Sequence, residues 1–411
     1  MNNIDKLLQG TEMEWKTLGE VAELKRGRVM SKEYLTENIG KHPVYSSQTA
    51  NNGEIGSIST YDFDGEYITW TTDGANAGTV FHRNCKFSIT NVCGLIRIQN
   101  SDEILYKFLF YWLSIEAKKH VYSGMGNPKL MSNQMAKILI PIPPLKIQQE
   151  IVAILDKFTE LTTELTTELT TRKKQYAFYR EQLLAFEDTK LQPSGRIATV
   201  GANCNSPCTV WKTLGEVGEF IRGNGLPKSD FTETGVPAIH YGQIYTYYGT
   251  YTDKTISFVS AETAKKLKKV NKGDVVITNT SENLEDVGKA VVYLGEEQAV
   301  TGGHASIFKP SENILSKYFA YFTQTSEFFN QKRKLAKGTK VIDVSANDLA
   351  KIKIPIPSLS EQERIVAILD KMDTLTNSIS EGLPREIELR QKQYEYYRNR
   401  LLDFDKWKVE N

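Results

Sequence analysis

The sequence predicts an α/β protein: two globular α/β segments joined by two long antiparallel coiled-coil helices, with pseudo-twofold symmetry. Three observations carry that expectation. The 411-residue chain repeats itself in a set of frame blocks. Between those blocks the two copies are unlike each other. Each copy of the frame ends in a long run with coiled-coil spacing.

The frame comes first. Trp15 to Val21 (WKTLGEV) recurs letter for letter as Trp211 to Val217, at an offset of 211 − 15 = 196. Ile140 to Lys157 (IPIPPLKIQQEIVAILDK) returns as Ile354 to Lys371 (IPIPSLSEQERIVAILDK), with 13 of 18 positions identical and an offset of 354 − 140 = 214. Arg172 to Phe186 matches Arg390 to Phe404 at an offset of 218, each copy holding Lys-Gln-Tyr and a closing Leu-Leu-x-Phe. Residues 28–139 and 224–353 share little, and the second insert is longer by 214 − 196 = 18 residues. A constant frame around unlike inserts is what two different heads on one scaffold require.

The inserts read as mixed structure. Tyr67–Thr71, Gly94–Ile98, Asp274–Thr278 and Ala290–Leu294 are β-branched runs that predict strands. Leu105–Ala117 and Leu315–Phe329 are aromatic-rich and predict helices. Pro141, Pro143, Pro144, Pro355 and Pro357 stand just before apolar-periodic runs, as at a helix start. A heptad passes through Leu155, Phe158, Thr162, Leu165, Leu169, Arg172, Tyr176, Tyr179, Leu183 and Phe186. In the second copy it passes through Leu369, Met372, Thr376 and Ile379, then Ile387, Arg390, Tyr394, Tyr397, Leu401 and Phe404. Gly382 and Pro384 predict a kink or restart there. The expected boundaries are 1–140 for the first head, 141–187 for the central helix, 188–210 for a linker, 211–356 for the second head and 357–411 for the C-terminal helix.

Composition narrows the function. The net charge is +1, not the strongly basic balance of a stand-alone nucleic-acid binder. Local basic patches remain at Lys265, Lys266, Lys268, Lys269 and Lys272, and at Lys332, Arg333, Lys334, Lys337 and Lys340. These read as solvated faces or as phosphate tracks. No run of about 18 apolar residues exists to span a membrane. MNNIDKLLQG lacks the marks of a signal peptide, so the cytoplasm is expected. Cys85, Cys93, Cys204 and Cys208 are expected as reduced thiols, since Cys204 and Cys208 lack a second ligand pair for zinc. No phosphate-cradling loop is present: Gly288-Lys289 is followed by Ala290. The only Pro-Pro, Pro143-Pro144, precedes Leu145 and does not make the loop that grips a flipped adenine. His42, His82, His120, His240 and His304 are scattered. No catalytic or metal-binding constellation is expected.

The doubled WKTLGEV, the Ile-Pro-Ile-Pro blocks with Ile-Val-Ala-Ile-Leu-Asp-Lys, and the Lys-Gln-Tyr helix ends resemble the specificity subunits of type I restriction–modification enzymes over nearly the whole chain. The resemblance implies that each insert is a target-recognition domain reading one half of a split double-stranded DNA sequence. It implies that the helices are spacers that dock two modification (methyltransferase) subunits, and that ATP-dependent restriction subunits join later. S-adenosylmethionine, ATP and Mg then belong to those partners, and this chain binds no cofactor.

Loop residues with donors, acceptors or rings are the candidate DNA contacts. In the first head these are Tyr45, Ser47, Gln48, Asn76, Gly126, Asn127 and Lys129. In the second they are His240, Tyr241, Gln243, Thr280, Ser281, Asn283, Lys289, His304 and Lys340. Leu155, Phe158, Leu165, Leu169, Tyr176, Tyr179, Leu369, Tyr394 and Tyr397 are the candidate partner-docking residues. The four-residue repeat Thr162–Leu165 and Thr166–Leu169 reads as a ruler between the heads. The competing reading is a coiled-coil assembly scaffold that binds no DNA.

Overall fold

The computed structural model describes residues 13–123, 126–186 and 209–404. Two compact units emerge: Met1–Glu164 with Glu388–Asn411, and Leu165–Ile387. Each unit therefore joins one head to the start of its own long helix and to the end of the other copy's.

In the first unit the chain runs β1 (Glu14–Thr17), β2 (Ala22–Arg26), β3 (Ile39–Tyr45), β4 (Glu54–Ile58), β5 (Phe63–Thr71), β6 (Val80–Ile89), β7 (Cys93–Ile98), α1 (Tyr106–Glu116) and β8 (Leu139–Ile142), then enters α2 (Leu145–Leu183). Strands order as β2-β7-β5-β6-β3-β4, with β3 joined to β6 in parallel through Val44↔Ser88 and Tyr45↔Ile89. β1 pairs antiparallel with β8 outside that sheet, Trp15 opposite Pro141. Phe108, Leu109 and Leu113 of α1 close the core with Ile68, Trp70 and Ile96. The fully buried Trp70 donates its indole N–H to the Leu130 carbonyl at 2.9 Å.

In the second unit the chain runs β9 (Val210–Thr213), β10 (Gly218–Arg222), β11 (Phe231–Thr232), β12 (Val236–Ile239), β13 (Tyr251–Thr252), β14 (Ser257–Val259), β15 (Lys268–Val270), β16 (Val275–Thr278), β17 (Thr280–Ser281), β18 (Ala290–Tyr293), β19 (Ala299–Thr301) and β20 (Ala305–Pro310). Helices α3 (Ser316–Phe322) and α4 (Ser326–Leu335) follow, then β21 (Ile342–Asp343), β22 (Lys353–Ile356) and α5 (Leu359–Asn377). The main sheet, β10-β20-β16-β18-β13, repeats the first head's plan. A second sheet, β11-β14-β12-β19-β15, stands where the first head has only β3 and β4. The expected strands are found. The expected helix Leu315–Phe329 is instead two, because Thr325 caps a new start by accepting from the Phe328 N–H.

The repeated frame residues fasten each head to its helix by the same bonds. Gln148 is fully buried; its amide accepts from Leu105 N–H (2.9 Å) and donates to the carbonyls of Glu103 and Pro143 (both 2.8 Å). Gln362 does the same with Leu315 (2.9 Å), Asn313 and Pro357 (both 3.0 Å). One turn or two later, Asp156 accepts from Lys107 and Tyr111, and Asp370 from Lys317 and Tyr321. The short segments before each head also match. Leu18 and Leu214 donate to the carbonyls of Ile138 and Ile352, both at 2.8 Å.

α2 is continuous over 39 residues, about 58 Å of helix. Its counterpart breaks at 378–381 and resumes as α6 (Gly382–Leu401). The restart expected at Gly382 and Pro384 is found: both lie in the first turn of the resumed helix, where a proline's missing N–H costs nothing. Ile379, expected on the seam, falls in the break and is exposed. Of the expected linker 188–210, only Thr209 and Val210 are among the described residues.

Candidate nucleic-acid interface

Strand ends bring the same set of loops to one edge of each head, held by the same backbone bonds. In the first head, Thr72 accepts from Leu130 N–H (3.0 Å) and donates to the Val92 carbonyl (3.1 Å). Tyr122 and Lys129 exchange two bonds (2.9 and 3.0 Å), and Gly78 donates to Thr71 (2.9 Å). In the second, Asn279 accepts from Val344 N–H (2.9 Å) and donates to His304 (2.8 Å). Lys337 and Asp343 exchange two bonds (2.9 and 2.8 Å), and Gly288 donates to Thr278 (2.8 Å). Gly78 and Gly288 share left-handed φ values of 79° and 77°, which glycine adopts without strain. Asp73 thus corresponds to Thr280, Asn91 to Gly303, Val92 to His304, Tyr122 to Lys337 and Lys129 to Asp343. One backbone geometry carries two sets of side chains.

The candidates distribute unevenly over this edge. Asn76, Gly126, Asn127 and Lys129 are exposed on the first head. Ser47 is half-buried, and the Gln48 amide is occupied by the Glu54 carbonyl. Tyr45 is corrected: it lies in the core, its ring covered by the Arg83 guanidinium at 3.5 Å, and it has no face left for a base.

On the second head, the rings of His240, Tyr241 and His304 pack in series at 4.4 and 5.0 Å. Burial, with Lys228 and His304 nearby, holds the His240 imidazole below its ordinary pKa; its Nδ1 accepts from the Gly242 N–H at 3.2 Å, so the neutral ring has its Nε2–H left to donate. Gln243 is engaged internally, accepting from the His240 N–H and donating to Ser257. Thr280 and Ser281 are corrected to buried positions, the Thr280 hydroxyl bonded to His304 Nδ1 at 3.0 Å. Asn283 and Lys289 are exposed and tied to Asp286 at 2.8 and 2.7 Å. Lys340 is exposed on the 337–343 hairpin.

Several residues of the edge carried no clear sequence signal. Arg26 donates to Thr72 Oγ1 (3.2 Å) and the Asn91 carbonyl (2.5 Å), fastening three loops; only its repetition as Arg222 pointed to it. Asp73 has a buried carboxylate oxygen with no partner. Lys332, read as part of a basic surface patch, is buried instead and donates to the Val287 carbonyl at 2.6 Å. Burial lowers its pKa to about 8.

The docking candidates are corrected in part. Leu155, Tyr176 and Leu369 are buried in the chain's own cores, so they hold helices together instead of facing a partner. Phe158 and Tyr397 stack on each other at 5.2 Å, and Tyr394 packs against the first core. Leu165 and Leu169 are half-buried, while Tyr179 is exposed.

Among the described residues, no cluster of three or more His, Cys, Asp or Glu could hold a metal, and no helix is long and apolar enough to cross a membrane. Cys85 and Cys93 are free thiols; Cys204 and Cys208 lie outside the described residues.

Comparison with known proteins agrees with this geometry. Residues 11–172 and 210–389 match the family described as type I restriction modification DNA specificity domain. The chain is 34% identical to the EcoR124I/EcoR124II type I restriction enzyme specificity subunit of Escherichia coli, over 99% of this chain and 98% of that one. It is 32% identical to a putative type I restriction enzyme specificity subunit of Haemophilus influenzae, over 98% of each. The fold resembles a type I restriction–modification S subunit of M. genitalium, with TM-score 0.57 at 18% identity over 95% of this chain and 96% of that one. It also resembles a chain solved in work on complex assembly and conformational transition of the type I system, with TM-score 0.59 at 17% identity over 96% and 98%.

Proposed function

Because the chain belongs to the type I restriction–modification DNA specificity family, we propose that it is the DNA-reading subunit of such an enzyme, with each head reading one half of a bipartite double-stranded target. The observation that carries this is the matched edge: the backbone registers agree in the two heads while Asp73, Tyr122 and Lys129 are replaced by Thr280, Lys337 and Asp343. Base identity is read by side-chain donors and acceptors, so two heads with one backbone and different side chains would read different bases.

The long helices set the distance between half-sites and dock two modification subunits, for which the exposed Tyr179 and the half-buried Leu165 and Leu169 remain candidates. Restriction subunits complete the assembly. Methyl transfer and ATP-dependent cleavage, with S-adenosylmethionine, ATP and Mg, belong to those partners in the cytoplasm, and this chain contributes no chemistry of its own. The test is methylation-site mapping with the chain and its modification subunits. A split motif methylated only when both are present is expected. Methyl transfer by the purified chain alone, or methylation without a split motif, would overturn the proposal.

A further inference from the structure

The first head buries one charge that has no counter-charge. Arg83 is 3% exposed, and among the described residues the groups that act on its charge are Tyr45, Cys93 and Cys85, none of them a carboxylate. Its guanidinium is sandwiched between the rings of Tyr45 (3.5 Å) and Phe81 (4.6 Å). Nη2 donates to the Asn52 carbonyl at 2.8 Å, and Nε to Thr69 Oγ1 at 3.3 Å. Glu54, the carboxylate next along the loop, is bonded to Ser57. An arginine stays protonated even here, and a buried charge without a counter-charge is costly. It is retained directly beneath the turn it holds.

That turn is itself unusual. Asn51 and Asn52 are the only non-glycine residues with positive φ among those described, at 47° and 53°, and Gly53 follows at 84°. Thr49, Ala50, Asn51 and Asn52 are all exposed, so a hydroxyl and two amides stand outside a positive charge. The turn belongs to the reading edge, since Ser46 bonds Thr90 at 2.8 Å and its N–H donates to Gly53. We propose that the turn Thr49–Asn52, backed by the acid-free guanidinium of Arg83, is a phosphodiester-binding site of the first head.

This rests on the DNA-reading function proposed above. A backbone phosphate oxygen accepts from the Thr49, Asn51 or Asn52 side chains. The Arg83 charge acts on it through a low-dielectric layer, where attraction is stronger than in water. Such a contact fixes the head's position on the duplex without choosing a base. The second head has no equivalent buried arginine among its described residues; the corresponding segment is a short helix, Tyr241–Thr246, that carries Tyr241 and Tyr245 and is capped by His240.

The test measures DNA affinity against salt for the complex with modification subunits, on its mapped target. Arg83→Met, Arg83→Lys and Asn52→Asp are compared with the wild type. Arg83→Met is expected to lose affinity roughly ten-fold and to flatten the slope of log K against log salt by about 0.9, while methylating the same motif. Arg83→Lys keeps the slope. Asn52→Asp supplies the missing counter-charge, so it raises the melting temperature of the free chain while weakening DNA binding. Unchanged affinity and slope in Arg83→Met would overturn the proposal. So would equal losses in the Met and Lys variants with lowered melting temperatures, which would make Arg83 a structural prop. Inorganic phosphate that stabilises the wild type but not Arg83→Met, with DNA binding unchanged, would identify a free-anion site and also overturn it. Absence of DNA binding by the wild-type complex would instead sink the underlying function.

Discussion

The two heads share backbone geometry both at the frame and at the edge, but share residues only at the frame. At the frame, Gln148 and Gln362 make the same three bonds, and Asp156 and Asp370 take the same lysine and tyrosine. At the edge, the peptide bonds still correspond but the side chains do not: where the first head has a partnerless carboxylate oxygen at Asp73, the second has a hydroxyl paired with imidazole at Thr280. The contrast separates two selective demands. A chain that must grip itself keeps residues, because each buried amide needs its particular partners. A chain that must meet different sequences keeps only the scaffold that aims its side chains.

The strongest way to break this comparison is to exchange residues 28–139 for the first head of another family member. One half-site should change and the other stay, with preference for the old half-site falling by roughly a thousand-fold or more. Methylation mapping decides it; a change in both half-sites would mean that the heads do not read independently.

Next in size are the buried amides. Gln148→Met and Gln362→Met keep volume but leave one buried N–H and two carbonyls without partners. Each should destabilise its own unit by about 3 kcal/mol, visible as an early transition in chemical unfolding followed by fluorescence. A change below about 1 kcal/mol would show that the clamp is incidental.

A third test sharpens the comparison at the helix. One more Thr-Thr-Glu-Leu after Leu169 adds about 400° of turn and about 6 Å of length, against about 3.4 Å per base pair. The unread spacer should grow by one base pair, at most two, with both half-sites retained. An active complex with an unchanged spacer would show that α2 is not the ruler.

The smallest effect concerns Lys332, whose buried ammonium underlies the 282–288 turn of the second head only. Its folded pKa, about 8, lies below the ordinary 10.5. The unfolded chain therefore binds more protons between those values, and stability should rise as pH increases from about 8 to 10.5. Comparison with Lys332→Met by thermal melting should show a rise of about 2–3 kcal/mol in the wild type that the variant lacks. Parallel curves would show that Lys332 titrates elsewhere.

Much of this architecture was legible from residues. Tyr67–Thr71 and Asp274–Thr278 announce strands because β-branched residues cluster there, and the repeated blocks place the head–helix junctions. The edge was less legible. Bonds such as Thr72 to Leu130 span an insert whose sequence has no partner in the other copy, so register could not be aligned. Thr280 and Tyr45 were misread because a polar group in a loop looks exposed until its partner, His304 or Arg83, is known. Tyr179 lies off the expected seam and is exposed, while Ile151, Leu155 and Tyr176 of the same helix are buried; a 3.5-residue repeat drifts from the 3.6-residue turn of a straight helix, so a position assigned by heptad need not stay on the buried face.

Phe404 is fully buried, its ring 6.0 Å from Phe108 and 5.8 Å from Trp112. The first head's core is therefore finished by Phe404, the last described residue. During synthesis at about 5–20 residues per second, that core waits tens of seconds for Leu401 and Phe404. The second unit needs nothing made after Ile387. Vectorial synthesis thus inverts the order of the sequence: the later head is the first that can close. A stop codon just before Leu401 would strip Leu401, Leu402 and Phe404 from the core of the head that is made first.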